Sequence, residues 1–120
     1  MNIRLDKGRP VGPQICEAVC VAVARGEYPA GQRLPSVREL AVALGVNPNT
    51  VQHAMEAMGE QGILYSVRGS GWYVQENIAR ATEVLEALRS QKIREFFEMM
   101  KFLGLSTEQT KTRIKEWDYE

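Results

Sequence analysis

The sequence predicts a mainly α-helical fold with one small β-hairpin, on three observations. Helix-start signals recur at Ser36, Asn47 and Ser106, the first two opening clear apolar faces at helical spacing. Two β-rich runs flank the tetrapeptide Arg68-Gly69-Ser70-Gly71. A long helical pattern fills residues 78–103. With 120 residues, 44% hydrophobic and 25% charged, the chain has apolar material for one modest domain and a short accessory piece.

Residues 1–12 mix charge with Gly and Pro and begin no period, which predicts a lead-in arm. A first helix is expected over 13–25, with Pro13 in its first turn and Ile15, Cys16, Val19, Cys20 and Val23 on one face; Gly26 is placed to end it. Pro29, Gly31 and Pro35 then impose a turn with a short extended piece around Arg33 and Leu34. Ser36 and Glu39 stand in the S-x-x-E relation of a capping box, where each side chain satisfies a backbone N–H of the first turn. Val37, Leu40, Ala41 and Leu44 form the inner face of this second helix, and Gly45 ends it.

The break that follows is short. Val46 is an apolar plug, and Asn47-Pro48 supplies an N-cap with proline at the first helical position. In a third helix, 48–61, Val51, Ala54, Met55 and Met58 face the core, leaving Asn49, Gln52, His53, Glu56 and Glu60 outside; Gly62 closes it. Ile63, Tyr65 and Val67 alternate with Leu64, Ser66 and Arg68, and Trp72-Tyr73-Val74 completes a hairpin. The helix expected over 78–103 would be about 39 Å long at 1.5 Å per residue. Gly104 stops it, and Ser106, with Gln109 at the box position, opens a short last helix that Ile114 and Trp117 fold back against the long one.

Helix, tight turn, helix, hairpin is the order of a winged helix-turn-helix, here expected over residues 1–75 and followed over 76–120 by a C-terminal helical hairpin used for dimerisation. The N-terminal half of the third helix carries Asn49, Gln52 and His53 outward. Amides pair bidentately with adenine, and His donates to guanine or to a phosphate. Ser36 and Thr50 suit phosphate contacts, with Arg38 as their charged partner. Gly69 and Ser70 are small enough for a narrow minor groove beside Arg68. Leu85, Leu88, Phe96, Phe97, Met100 and Leu103 would leave an apolar patch on an isolated helix, which predicts a second subunit over them.

Charge tempers this reading. Fifteen basic residues balance fifteen acidic ones, and within residues 1–75 seven bases meet six acids, a net +1. Affinity must therefore rest on a few placed residues, doubled by dimerisation, rather than on a broad basic field. Two cysteines and one His are too few for a structural zinc site, so Cys16 and Cys20 are expected to be inert helix-face thiols. No apolar run approaches the ~20 residues of a membrane span, and a cytoplasmic protein is expected. No catalytic constellation, metal site or cofactor cradle stands out. A winged helix also serves as a protein-interaction module; the polar Asn49-Gln52-His53 face opposes that alternative.

The run LPSVRELAVALGVNPNTVQHAMEAMGEQGILYSVRGSGWYV, residues 34–74, resembles the GntR family of bacterial transcription regulators, and most resembles its YtrA subfamily, whose members have a short two-helix tail. The likeness is strong over about residues 9–75 and looser in the tail. It implies DNA contacts from Arg38, from Asn47, Pro48, Asn49, Thr50 and Gln52, and from Gly69. Many family members carry Arg where this chain has Pro48 and Gln52, and Thr where it has Trp72. The resemblance implies a homodimeric regulator, expected to be a repressor with a two-fold symmetric operator, often near genes of an ABC transporter. Any small-molecule effector is left open.

Overall fold

The structure is a computed structural model that describes Met1 and residues 3–119. Five helices and one hairpin follow in the order α1 (Val11–Ala24), α2 (Val37–Leu44), α3 (Pro48–Glu60), β1 (Leu64–Val67), β2 (Gly71–Val74), α4 (Ala79–Phe102) and α5 (Thr107–Glu116). They divide into two compact units, Met1–Glu86 and Ala87–Glu120. The division falls later than the sequence pattern suggests. The opening turns of α4 belong to the first unit, because Ala81 joins its core and Val84 packs against it.

That core is built from the faces expected: Ile15, Val19, Cys20 and Val23 of α1, Leu40 and Ala41 of α2, and Val51, Ala54, Met55 and Met58 of α3, closed by Leu64 and Val74 of the hairpin. Helix α1 starts at Val11, two residues early, because the buried Gln14 side chain ties the arm to the first turn. Its Oε1 accepts the Asp6 N–H at 2.7 Å, and its Nε2 donates to the carbonyls of Asp6 at 2.8 Å and Pro10 at 3.0 Å. The lead-in arm thus ends in an ordered turn, within which the Gly8 N–H donates to Asp6 Oδ1.

Strands β1 and β2 pair antiparallel with Leu64 opposite Val74 and Val67 opposite Gly71. Leu64 and Val74 face the core; Val67, 42% exposed, does not. The extended piece near Arg33 runs alongside β2. Arg33 bridges Tyr73, and the Leu34 N–H donates to the Trp72 carbonyl while that of Val74 donates to Gln32. The link between α1 and α2 therefore acts as a third strand at the base of the hairpin.

In the second unit α4 ends at the Gly104 turn, where the Leu105 N–H donates to the Met100 carbonyl at 2.9 Å. Ser106 and Gln109 form both bonds of a capping box, and α5 follows. One expectation needs correcting. Ile114 and Trp117 do not bury themselves to dock α5: they are 48% and 65% exposed, whereas Thr110 is 1% exposed. Ile114 and Trp117 instead line, with Thr110, Phe96, Met100 and Tyr119, a concavity of about 470 Å³.

Candidate nucleic-acid interface

The start of α2 is fixed by its capping box. Ser36 Oγ accepts the Glu39 N–H and Glu39 Oε1 accepts the Ser36 N–H, both at 3.0 Å. These bonds from Ser36 hold the Glu39 carboxyl below its ordinary value, with the Arg33 guanidinium adding to the effect. Arg38, in the same turn, is exposed. At the other end Gly45 takes φ 67°, a left-handed conformation that ends α2 and turns the chain towards α3. Val46 then seats partly in the core, and Asn47 Oδ1 accepts the Asn49 N–H at 2.8 Å with Pro48 at the first helical position. The origin of α3, and with it the direction of every side chain on it, is set by these local bonds.

At 3.6 residues per turn Asn49, Gln52, His53 and Glu56 share one stripe, opposite the buried Val51, Ala54, Met55 and Met58. Asn49 and His53 are exposed and Gln52 is half-buried. Thr50 is half-buried and turned towards α1; with His53 it lines an open concavity of about 570 Å³ against Pro13, Cys16 and Glu17. Glu56 and Glu60 place exposed carboxylates on the later half of the helix. Only its N-terminal half therefore suits a groove walled by phosphates.

Cys16 Sγ donates to the Ala54 carbonyl at 3.7 Å, joining α1 to α3. Burial pushes the Cys16 thiol up, and takes that of Cys20 to about 11 with the neighbouring Cys16 adding to it. Both stay protonated at neutral pH and act as small apolar residues with little nucleophilic character.

The hairpin tip presents Arg68 and Gly69, both exposed, and Gly69 takes φ 80°. Ser70 is half-buried, its hydroxyl hydrogen-bonded to the Tyr73 hydroxyl, and Tyr73 stacks on Tyr65 with ring centroids 5.6 Å apart. Trp72 is turned the other way, onto α3. A Cβ added to Gly59 would lie 3.0 Å from Trp72 Cζ3 and 3.3 Å from Cη2. The indole thus fixes the hairpin against the helix that carries Asn49, Gln52 and His53. A signal for Gly59 was present in the sequence, since glycine inside a helix costs about 1 kcal/mol relative to alanine and marks a close approach. Arg33, which lies beside the hairpin, carried no such signal.

All eleven candidate contact residues belong to the first unit, on α2, on α3 with its cap, and on the hairpin tip. The candidate dimer residues divide. Leu85 is 9% exposed and leaves little surface for a partner; Leu88, Phe97 and Met100 are half-buried; Phe96 and Leu103 are exposed. Phe102, outside the expected face, is 85% exposed.

A supporting helix, a second helix with a polar outward stripe at its start, and a glycine-tipped wing packed onto that helix define a winged helix-turn-helix DNA-binding protein. The chain belongs to the GntR family: the model for bacterial regulatory proteins of the gntR family matches residues 13–74. Over 109 residues it is 32% identical to the transcriptional repressor YtrA of Bacillus subtilis, covering 89% of this chain and 83% of that one. A solved GntR family transcriptional regulator from Listeria monocytogenes superposes with TM-score 0.78 at 34% identity, over 95% of this chain and all of that one. The AraR DNA-binding domain, solved in complex with operator ORX1, superposes with TM-score 0.54 at 29% identity, over 62% of this chain and 90% of that one. The protein is a DNA-binding transcriptional regulator.

Proposed function

We propose that this regulator is a cytoplasmic homodimeric repressor that reads a two-fold symmetric operator with half-sites about one helical turn apart. In this reading Asn49, Gln52 and His53 contact base edges. Ser36, Arg38, Asn47, Pro48 and Thr50 hold the flanking backbone. Arg68, Gly69 and Ser70 follow the adjacent minor groove, and the Ser70–Tyr73 bond stiffens that tip. The observation that carries the reading is the polar stripe at the start of α3, fixed relative to the wing by Trp72 on Gly59. Repression is supported by the relatives named as repressors, YtrA among them. Pairing through the tail is supported by the exposed Phe96, Phe102, Leu103 and Trp117, more large apolar surface than a short helical hairpin leaves open without a partner.

The experiment is selection of bound genomic fragments, followed by titration of the selected site with the full chain and with a chain ending at Glu86. That end point keeps Ala81 and Leu85 in the core; ending at Gln75 would remove them. The full chain is expected to sediment as a dimer and bind a palindromic site, and the shortened one to be a folded monomer that binds a half-site weakly. A shortened chain that remains dimeric overturns the pairing.

A further inference from the structure

Between α2 and the wing lies a cation that none of the contacts above uses. Arg33 pairs with Tyr73 in an antiparallel bridge, so its side chain leaves the ribbon on the same face as Tyr73, away from the core side held by Trp72. From there it reaches along the strand towards the tip. A Cβ on Gly71 would stand 3.2 Å from Arg33 Nε and 3.6 Å from Nη2, so the guanidinium lies over the Gly71 backbone. Its charge is also felt at Glu39 in the first turn of α2. One exposed guanidinium thus sits between Ser36 and Arg38 on one side and Arg68 and Gly69 on the other.

We infer that Arg33 is a DNA-backbone contact, binding a phosphate in the interval between those reached by the start of α2 and by the wing. The inference rests on the DNA-contact reading above and adds to it a residue that lies outside all three contact segments. Three features fit the role. The Glu39 carboxylate accepts from Ser36 and is committed to the capping box, so it tethers the cation electrostatically without consuming its N–H donors. The bridge to Tyr73 and the flanking bonds of Leu34 and Val74 hold the Arg33 backbone, which limits the entropy lost on contact. Gly71 takes φ 135° and presents no side chain, meeting two demands at once: the backbone needs glycine, and a Cβ there would press within 3.2 Å of the guanidinium. In a domain of net charge near zero, each placed cation carries a large share of the electrostatic attraction.

The test is fluorescence-anisotropy titration of the selected operator and of an unrelated duplex with the full chain, between 50 and 200 mM salt. Arg33→Gln is expected to weaken binding about tenfold per subunit, equally on both duplexes, as loss of a hydrogen bond to a charged group does. It should also lower the slope of log K against log salt by about 0.9 per subunit. Arg33→Lys should keep the slope, and Arg33→Glu should lose more affinity than Arg33→Gln. Weaker binding with an unchanged salt slope means that Arg33 only shapes the wing, and overturns the inference. So does equal affinity of wild type and Arg33→Gln while wild type binds normally. A wild-type chain that binds no duplex overturns the broader DNA-contact reading and this inference with it.

Discussion

Helices α2 and α5 both begin with a serine capping box, yet the units that contain them handle apolar side chains in opposite ways. Around α2, residues such as Met55, Leu64 and Val74 are completely buried. Around α5, among the described residues from 87 to 119, Thr110 alone is buried while Phe102, Leu103 and Trp117 stand in solvent. The same local grammar starts a helix in both places, because capping needs only a side chain three residues from its partner. What differs is the packing that turns a helix into a stable domain. The first unit buries its large apolar side chains within itself; the second leaves several of its largest ones exposed.

The contrast is open to measurement, and the largest effect should come from the core. Met55→Ala is expected to lower the unfolding free energy by about 2–5 kcal/mol in urea titrations, whereas Phe102→Ala, measured at protein concentrations dilute enough for monomer, should change it by less than about 0.5 kcal/mol. Comparable losses would erase the distinction between the units.

Next comes the lock between the wing and α3. Gly59→Ala gains helix propensity but drives a Cβ into the Trp72 ring, and such overpacking costs about 1–3 kcal/mol. Operator affinity should fall with little change in helix content by circular dichroism. Combining it with Trp72→Val should remove most of the further stability loss.

The two caps then separate local from global stability. Ser36→Ala and Ser106→Ala each remove about 1 kcal/mol from a helix start. The first should lower the global unfolding midpoint, and the second should show mainly as faster amide exchange in α5.

The smallest effect is one of pH. Glu39 has its carboxyl value lowered in the fold, so its contribution is present above the ordinary carboxylate range and is lost as pH falls through the lowered value. Glu39→Gln should flatten that acid-side loss in thermal melts while preserving the box, as the neutral Gln109 does for α5.

What the sequence made legible was whatever neighbours in the chain decide. Ser36 with Glu39, Asn47 with Pro48, and Ser106 with Gln109 all started helices at the positions expected, and the 3.6-residue period placed Val51, Ala54, Met55 and Met58 inside. The stripe of Asn49, Gln52 and His53 was legible for the same reason. What stayed hidden depends on partners distant in sequence. Gln14 buries its amide against the arm, Trp72 lies on Gly59, and Arg33 joins the hairpin as part of a third strand. The first unit also extends into α4: the helical period puts Ala81 on an apolar face, but not which unit that face packs on, and Ala81 joins the first unit's core.

The arrangement of α3 has a consequence for how such a protein changes. Its folding information lies in Asn47, Pro48 and the inner face, while the side chains of Asn49, Gln52 and His53 form no hydrogen bond among the described residues and belong to no core cluster. Substitution at these three positions leaves the cap, the turn and the core as they are, and substitutions of this kind usually shift stability by no more than about 0.5 kcal/mol. With Asn49, Gln52 and His53 as the base-contacting residues proposed above, recognition and foldability fall on different residues of one helix, so a descendant of this chain would acquire a new operator with little change in stability.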